Sequence, residues 1–141
     1  MLIQLPDTIK DLYFVGDVHG SWDIVTYHIR QYKVKDTVFI FCGDVGIGFE
    51  SLKYYTDHVI PELHKTLKKY NDIFIWFSGN HDDPKYFENQ LINTNYVKCI
   101  PTYSVINVLN KNILNVSGGI SIDRQFRMQN DSVSIVRYMK N

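Results

Sequence analysis

The chain has 141 residues, of which 45% are hydrophobic and 14% aromatic, enough apolar material to bury the core of one domain. Its 15 basic and 15 acidic residues cancel and are scattered, so the basic surface typical of nucleic-acid or anionic-membrane binding is not expected. Two cysteines, Cys42 and Cys99, are too few for a disulfide framework. Both are predicted to be reduced and buried, as free cysteines usually are.

The N-terminus has no basic segment followed by a long apolar one. No stretch approaches the roughly 20 apolar residues needed to span a bilayer. The sequence therefore predicts a soluble cytoplasmic protein without a membrane segment, organised as a single domain over residues 1–141.

The first predicted element is a buried strand from Asp11 to Val15, which stops at a loop containing Gly16 and Gly20. Ser21 is predicted to cap the next helix, because its hydroxyl can accept a backbone N–H of the first turn. A second strand runs from Thr37 to Cys42 and also stops at a glycine. The helix between them has a predicted buried stripe of Trp22, Val25, Ile29 and Tyr32.

Between Ser51 and Tyr70 the apolar residues again have helical spacing, but Pro61 lies inside this segment and lacks a backbone donor. We therefore expect a kinked helix or two helices meeting near Ile60. A third strand is predicted from Ile73 to Phe77. After the loop that follows it, Pro84 is expected to open a short helix that ends near Asn89.

After Asn93 the candidate strands are short and separated by Asn and Pro, which favours antiparallel pairing. They lie near Val97, at Tyr103 to Val108 and at Ile113 to Val116. Further on, Arg124 and Arg127 follow a glycine-led loop, and a guanidinium fork is well shaped for a phosphate. The alternative is that they are surface arginines that pair with nearby acids.

The three longer strands share one feature, because each is followed by Gly-Asp or Gly-Asn. Strands that alternate with helices predict a parallel sheet, in which ligands gather at the carboxyl ends of the strands. Asp17 and His19 are two residues apart, so in an extended segment both can share one metal. Asp44 brings a carboxylate that can bridge two cations, and Asn80 adds an amide oxygen. A single Gly-Asp is an ordinary turn, but three in this order are a specific pattern.

Such a set of oxygen and imidazole ligands favours Mn²⁺, Fe or Zn²⁺ over Mg²⁺. Two cations roughly 3.5–4 Å apart would polarise a phosphoryl group and lower the pKa of bound water. His81, next to Asn80, is a candidate proton donor to the leaving oxygen. Asp82 and Asp83 are expected either to orient His81 or to lie in solvent as caps before Pro84.

These motifs resemble those of the calcineurin-like metallophosphoesterase family. They are Gly16-Asp17-Val18-His19-Gly20, Gly43-Asp44-Val45-Gly46 and Gly79-Asn80-His81-Asp82, with a weaker similarity from Gly118 to Arg127. The resemblance implies an α/β fold in which a sandwich of two β-sheets is flanked by helices. It also implies a dinuclear metal centre that hydrolyses phosphomonoesters or phosphodiesters through a metal-bound water or hydroxide.

The resemblance further assigns a role to each matching residue. Asp17 and His19 would hold the first metal, Asp44 would bridge both, and Asn80 would hold the second. His81 would be the acid or would contact the phosphate.

The sequence departs from the family pattern in its C-terminal part. Family members carry a lone histidine and then a Gly-His-x-His element there, whereas this chain has no histidine after His81. His28, His58 and His64 lie on predicted helices and are not expected to bind metal. The C-terminal part is therefore predicted to be truncated, so that the domain is incomplete. The chain would be a truncated reading frame, a fragment completed by another chain, or a degenerate relative.

The missing histidines leave more than one function open. The chain is either a phosphoesterase, or a catalytically weak module that binds metal or phosphate and acts through a partner, or a remnant without function. An incomplete second sheet would expose an unpaired edge and so favour association.

Overall fold

The computed structural model describes residues 1–118, which form two β-sheets and a set of helices. Three of the strands lead at their carboxyl ends into the loops that carry the predicted ligands. The strands are β1 (Leu2–Gln4), β2 (Asp11–Val15), β3 (Thr37–Phe41), β4 (Ile73–Trp76), β5 (Val97–Cys99), β6 (Val105–Val108) and β7 (Lys111–Leu114). The helices are α1 (Trp22–Tyr32), α2 (Leu52–Tyr54), α3 (Ile60–Tyr70) and α4 (Pro84–Glu88), with a π-helical segment (Tyr55–Val59) between α2 and α3.

The larger sheet has the order β2-β3-β4-β5, and all of its strands are parallel. The three strands predicted to carry ligands are therefore neighbours in one parallel sheet, as expected. The antiparallel prediction is wrong for β5, because the chain passes through α4 before it returns beside β4 in the same direction. Such a crossover is what a parallel pair requires.

The smaller sheet has the order β1-β6-β7. Strands β6 and β7 form the predicted antiparallel hairpin, and Leu109 and Asn110 at its turn both have positive φ, as a tight two-residue hairpin turn demands. Strand β1 pairs with β6 in parallel and was missed in the sequence. It has three residues and only Ile3 is buried, so it carries no periodic signal.

Alternation along the central strands divides the core into two layers. Val38 and Ile40 of β3 face the smaller sheet, in a layer made mainly of aliphatic side chains. Phe39 and Phe41 face the helices. Trp22 of α1 and Trp76 of β4 are buried in this second layer, with ring centroids 5.3 Å apart, which confirms the predicted burial of Trp22. The fold is thus a two-sheet sandwich with helices packed on the larger sheet.

The helical run from Leu52 to Tyr70 changes type before Pro61, close to the predicted break at Ile60. The N–H of Ile60 bonds to the carbonyl of Tyr55, five residues back, and α3 then begins with Pro61 in its first turn. A wide π-helical turn here accommodates the missing proline donor. None of the helices within residues 1–118 has the length and apolar character needed to cross a membrane.

Strand β2 lies at the edge of the larger sheet among the described residues. Its register pairs Phe14 with Ile40, so Phe14 is on the face that carries the aliphatic layer. Its side chain is nevertheless 61% exposed, and no residue of β2 is fully buried, so the prediction of a buried strand is wrong here. This face of β2 is therefore apolar and exposed, and the association expected from the sequence stays a prediction.

Asp72 is a fully buried carboxylate between α3 and β4. Its Oδ1 accepts the backbone N–H of Thr37 at 3.0 Å, whereas Oδ2 has no hydrogen-bond partner within residues 1–118. Burial raises the pKa of Asp72 to about 7, and the bond from Thr37 offsets part of that rise. The folded state therefore holds a proton that the unfolded chain loses above its ordinary pKa of 3.8, so stability falls as pH rises from about 4 to about 7.

We expect Asp72→Asn to stabilise the protein at high pH, because the amide keeps an oxygen for Thr37 and carries no charge. Relative to wild type, its free energy of unfolding should increase by about 2 to 3 kcal/mol between pH 5 and pH 8. Urea denaturation at both pH values measures this. Asp57→Asn, which removes an exposed carboxylate, is the control. A difference in free energy of unfolding between Asp72→Asn and wild type that is the same at both pH values would contradict the raised pKa of Asp72.

Candidate metal centre

Three loops meet at the carboxyl ends of β2, β3 and β4: the first loop (residues 16–20), the second loop (42–50) and the third loop (77–83). One potential ligand atom from each of Asp17, His19 and Asp44 lies within 4.8 Å of the others. Asn80 lines the same cavity of about 270 Å³ as Asp17 and Asp44. The structure thus brings together the four residues predicted to bind metal.

Backbone hydrogen bonds hold the first loop against the second. The N–H of His19 bonds to the carbonyl of Asp44 at 3.0 Å, and the N–H of Gly20 bonds to that of Val45 at 2.8 Å. His19 and Asp44 both have a left-handed backbone, with φ of 47° and 46°. Aspartate and histidine adopt this conformation more readily than most residues. These bonds bring Asp44 alongside the segment that carries Asp17 and His19.

A hydrogen bond to the side chain of Asp44 connects the third loop to the second. Its Oδ1 accepts the N–H of His81 at 3.0 Å, and only 8% of the residue is exposed. Gly79 allows this close approach, because a Cβ there would lie 2.1 Å from both the backbone nitrogen and Oδ1 of Asp44. Any side chain at this position would therefore displace a predicted ligand.

His81 lies beside the cluster of Asp17, His19 and Asp44. Its ring is 5.7 Å from that of His19 between centroids, in an edge-on arrangement. His81 directly follows Asn80 in the third loop. The imidazole of His81 is therefore a neighbour of the His19 ring of the cluster.

Asp82 and Asp83 differ in environment. Asp83 caps α4 as predicted, since its Oδ1 accepts the N–H of Lys85 at 3.1 Å. Asp82 is 5% exposed, so the expectation of a solvent-facing residue is wrong for it. Its carboxylate accepts four backbone N–H groups of the second and third loops. Burial raises the pKa of Asp82, although these bonds act in the opposite direction.

The remaining wall of the cavity comes from the chain after β7, which sequence reasoning missed. Asn115, Val116, Ser117 and Gly118 line it. The buried Asn115 donates its amide to the carbonyl of Pro101 and accepts the hydroxyl of Ser117. Nothing in the local sequence indicates that this segment faces the loops, because the packing of one sheet on the other puts it there.

Three further predictions from the sequence are wrong. Tyr32, predicted in the buried stripe of α1, is 72% exposed at the end of that helix. Cys42 is exposed and lines the cavity, whereas Cys99 is buried as predicted. Desolvation and the charge of Asp17 raise the pKa of the Cys42 thiol. Ser21 is the residue before α1, but its side chain makes no capping bond; its carbonyl instead accepts the N–H of Ile24.

The other histidines lie on helices, as expected, and are not part of the cluster. His28 stacks on Tyr32, and His58 lies near Tyr54. His64 has its Nε2 at 2.9 Å from Oγ1 of Thr94. The predicted phosphate-binding residues Arg124 and Arg127 lie outside the described residues.

The chain matches a known family. Residues 11–140 match a model described as calcineurin-like phosphoesterase. Neither a curated protein nor a solved structure matches the chain significantly. The match covers all three loops and most of the chain.

Proposed function

The chain belongs to the calcineurin-like phosphoesterase family, and on this premise we propose that it hydrolyses a phosphomonoester or phosphodiester with the help of bound metal ions. The observation that carries the proposal is the cluster of Asp17, His19 and Asp44 at the ends of adjacent parallel strands. Family membership supports metal-dependent hydrolysis in general, and the cluster supplies the residues for it.

The donor set fits a divalent cation. Two carboxylates and one imidazole with ligand atoms within 4.8 Å of one another can bind a single ion and offset its charge. The imidazole favours Mn²⁺, Fe or Zn²⁺ over Mg²⁺. Asp17 and His19 would hold one ion, Asp44 would serve two, and Asn80 would hold the second. When bound, such ions supply Lewis acidity, which offsets phosphate charge and makes water a better nucleophile at neutral pH.

The lining of the cavity also supports a need for metal. Its described residues include the carboxylates of Asp17 and Asp44 and no lysine or arginine. A phosphate ester entering a cavity of this charge would be repelled without cations. We propose that Arg124 and Arg127 add positive charge for the substrate.

His81 is proposed to give its imidazole proton to the leaving oxygen of the ester. The third loop holds it next to the cluster, within 5.7 Å of the His19 ring between centroids. General acid catalysis of this kind is worth on the order of 100- to 10,000-fold in rate. The bond from the His81 backbone to Asp44 keeps the two groups in a fixed relation.

Hydrolysis of p-nitrophenyl phosphate and of its bis ester by the purified chain, with Mn²⁺ or with EDTA, tests the proposal. Turnover that requires Mn²⁺ and is lost in Asp17→Asn supports an enzyme. Mn²⁺ binding at one equivalent without turnover supports the alternative, a binding module that acts through a partner. That alternative is favoured by the small ligand set, because only three His, Cys, Asp or Glu residues within 1–118 form a cluster.

We expect one metal ion to bind much more tightly than a second. Asp17, His19 and Asp44 serve the first ion, whereas Asp44 and Asn80 alone serve the second, and cations of this kind usually take four to six ligands. Phosphatase activity of the isolated chain should accordingly be low. Elemental analysis after dialysis and calorimetric titration with Mn²⁺ measure the stoichiometry. Two tightly held ions with rapid turnover would show that further ligands complete the site.

The cytoplasmic location expected from the sequence stays a prediction.

A further inference from the structure

We infer that Asp82 is a positioning residue of the metal centre, whose buried carboxylate holds the second and third loops in their metal-binding arrangement. The inference rests on the proposed function. It concerns a residue that is not among the proposed ligands.

The carboxylate of Asp82 is saturated by backbone donors. Oδ1 accepts the N–H groups of Gly46 at 2.7 Å and Ile47 at 3.0 Å. Oδ2 accepts those of Val45 at 3.0 Å and Gly79 at 2.9 Å. Three of these donors directly follow Asp44 and the fourth directly precedes Asn80, so one side chain fixes the backbone next to two proposed ligands.

A second buried side chain continues this support along the loop. The hydroxyl oxygen of Tyr55 accepts the N–H groups of Gly48, Phe49 and Glu50 at 3.0, 3.1 and 3.2 Å. Six consecutive N–H groups, from Val45 to Glu50, therefore bond to only two side chains. Because Asp82 holds the half nearer to Asp44, its loss should disturb the ligands more than the loss of the Tyr55 hydroxyl.

The tie between the loops is reciprocal. Asp82 on the third loop accepts donors from the second, while Asp44 on the second loop accepts the N–H of His81 on the third. A shift of either loop would break bonds at both ends. Metal affinity depends on such supporting bonds, and their loss typically costs 10- to 100-fold.

The four bonds require an acceptor with two oxygens. Asparagine has nearly the same shape, but its NH₂ group would face two N–H donors and leave them unsatisfied. Asp82→Asn is therefore a sharp test. Asp72→Asn is the matched control, since it also alters a buried carboxylate but lies at the start of β3 and β4, at the opposite end of the strands from the three loops. Asp83→Asn controls for the neighbouring position, where an amide oxygen still caps α4.

Calorimetric titration with Mn²⁺ at pH 7.5 should show the tighter dissociation constant rising about 10- to 100-fold in Asp82→Asn. We expect less than about a 3-fold change in Asp72→Asn and Asp83→Asn, and a smaller loss of affinity in Tyr55→Phe than in Asp82→Asn. Amide hydrogen exchange without metal should be faster at Val45, Gly46, Ile47 and Gly79 in Asp82→Asn alone. If wild type turns over substrate, saturating Mn²⁺ should restore much of the rate to this variant, because affinity is what it lacks.

The outcomes separate this inference from the proposed function. Wild-type protein that binds no Mn²⁺ would overturn both. Wild-type affinity in folded Asp82→Asn would overturn the positioning role and leave the proposed function intact. If Asp82→Asn does not fold, amide hydrogen exchange of the wild-type protein with and without Zn²⁺ is the deciding measurement. Zn²⁺ should slow the exchange of the Val45 to Ile47 and Gly79 amides more than that of the Gly48 to Glu50 amides. Equal slowing in both groups, or none, would overturn the inference.

Discussion

Asp44→Ala is expected to weaken Mn²⁺ binding by more than about 100-fold and to abolish any phosphoesterase activity. Loss of a residue that merely supports a ligand costs 10- to 100-fold in affinity, and loss of a shared carboxylate ligand should exceed that range. The substitution removes charge from a cavity in which Asp17 is the other acidic residue among those described. It also removes the acceptor of the His81 N–H.

Asn80→Ala should weaken Mn²⁺ binding less, because an amide is neutral and is proposed to serve one ion. Asp44→Asn separates the two roles of Asp44: it keeps an oxygen for the His81 N–H and tolerates the left-handed backbone, but it lacks the charge. Calorimetric Mn²⁺ titration of the three variants measures the order. Equal losses for Asp44→Ala and Asn80→Ala would argue against a bridging role.

Gly79→Ala should destabilise the fold and abolish tight metal binding together. The added methyl group would lie 2.1 Å from the backbone nitrogen and from Oδ1 of Asp44. The neighbouring backbone cannot yield easily, since Asp44 Oδ1 is bonded to His81 and the Gly79 N–H is bonded to Asp82. Overpacking of a tight site costs about 1 to 3 kcal/mol, and we expect a value at or above the upper end.

Gly16→Ala is the matched control, because a Cβ at Gly16 would have no neighbour within 4 Å. It changes a glycine of the same motif type in the first loop and should shift stability by less than about 1 kcal/mol. Urea denaturation measures the free energy of unfolding of each variant, and calorimetric titration measures its affinity for Mn²⁺. Similar losses in the two variants would show that the close approach at Gly79 has no special role.

The sequence alone determined the part of the fold that carries the chemistry. β2, β3 and β4 were predictable because each is a continuous apolar run of strand length, a local signal. Alternation with helices made the sheet parallel, and parallel strands place their carboxyl ends at one edge. The convergence of Asp17, His19 and Asp44 follows from these facts and from the glycine before each carboxylate. The helical break near Ile60 was predictable for the same reason, because the missing backbone donor of Pro61 affects the helical turn in which it lies.

Only the tertiary structure decided the features that depend on partners distant in sequence. β1 and β5 are short strands whose direction is set by the strand they meet, β6 and β4. The cavity wall after β7 arises from the packing of one sheet on the other.

The side chains that hold the second loop in place could not be identified from the sequence either. In the sequence, Asp82 is one of two acidic residues before a proline. Tyr55 is one of several apolar residues in a predicted helix. Their roles come from backbone donors that lie up to 37 positions away, which a local pattern does not record. Residue types and spacing specify which groups are available at a strand end, whereas loop contacts across the fold specify which buried groups hold them in place.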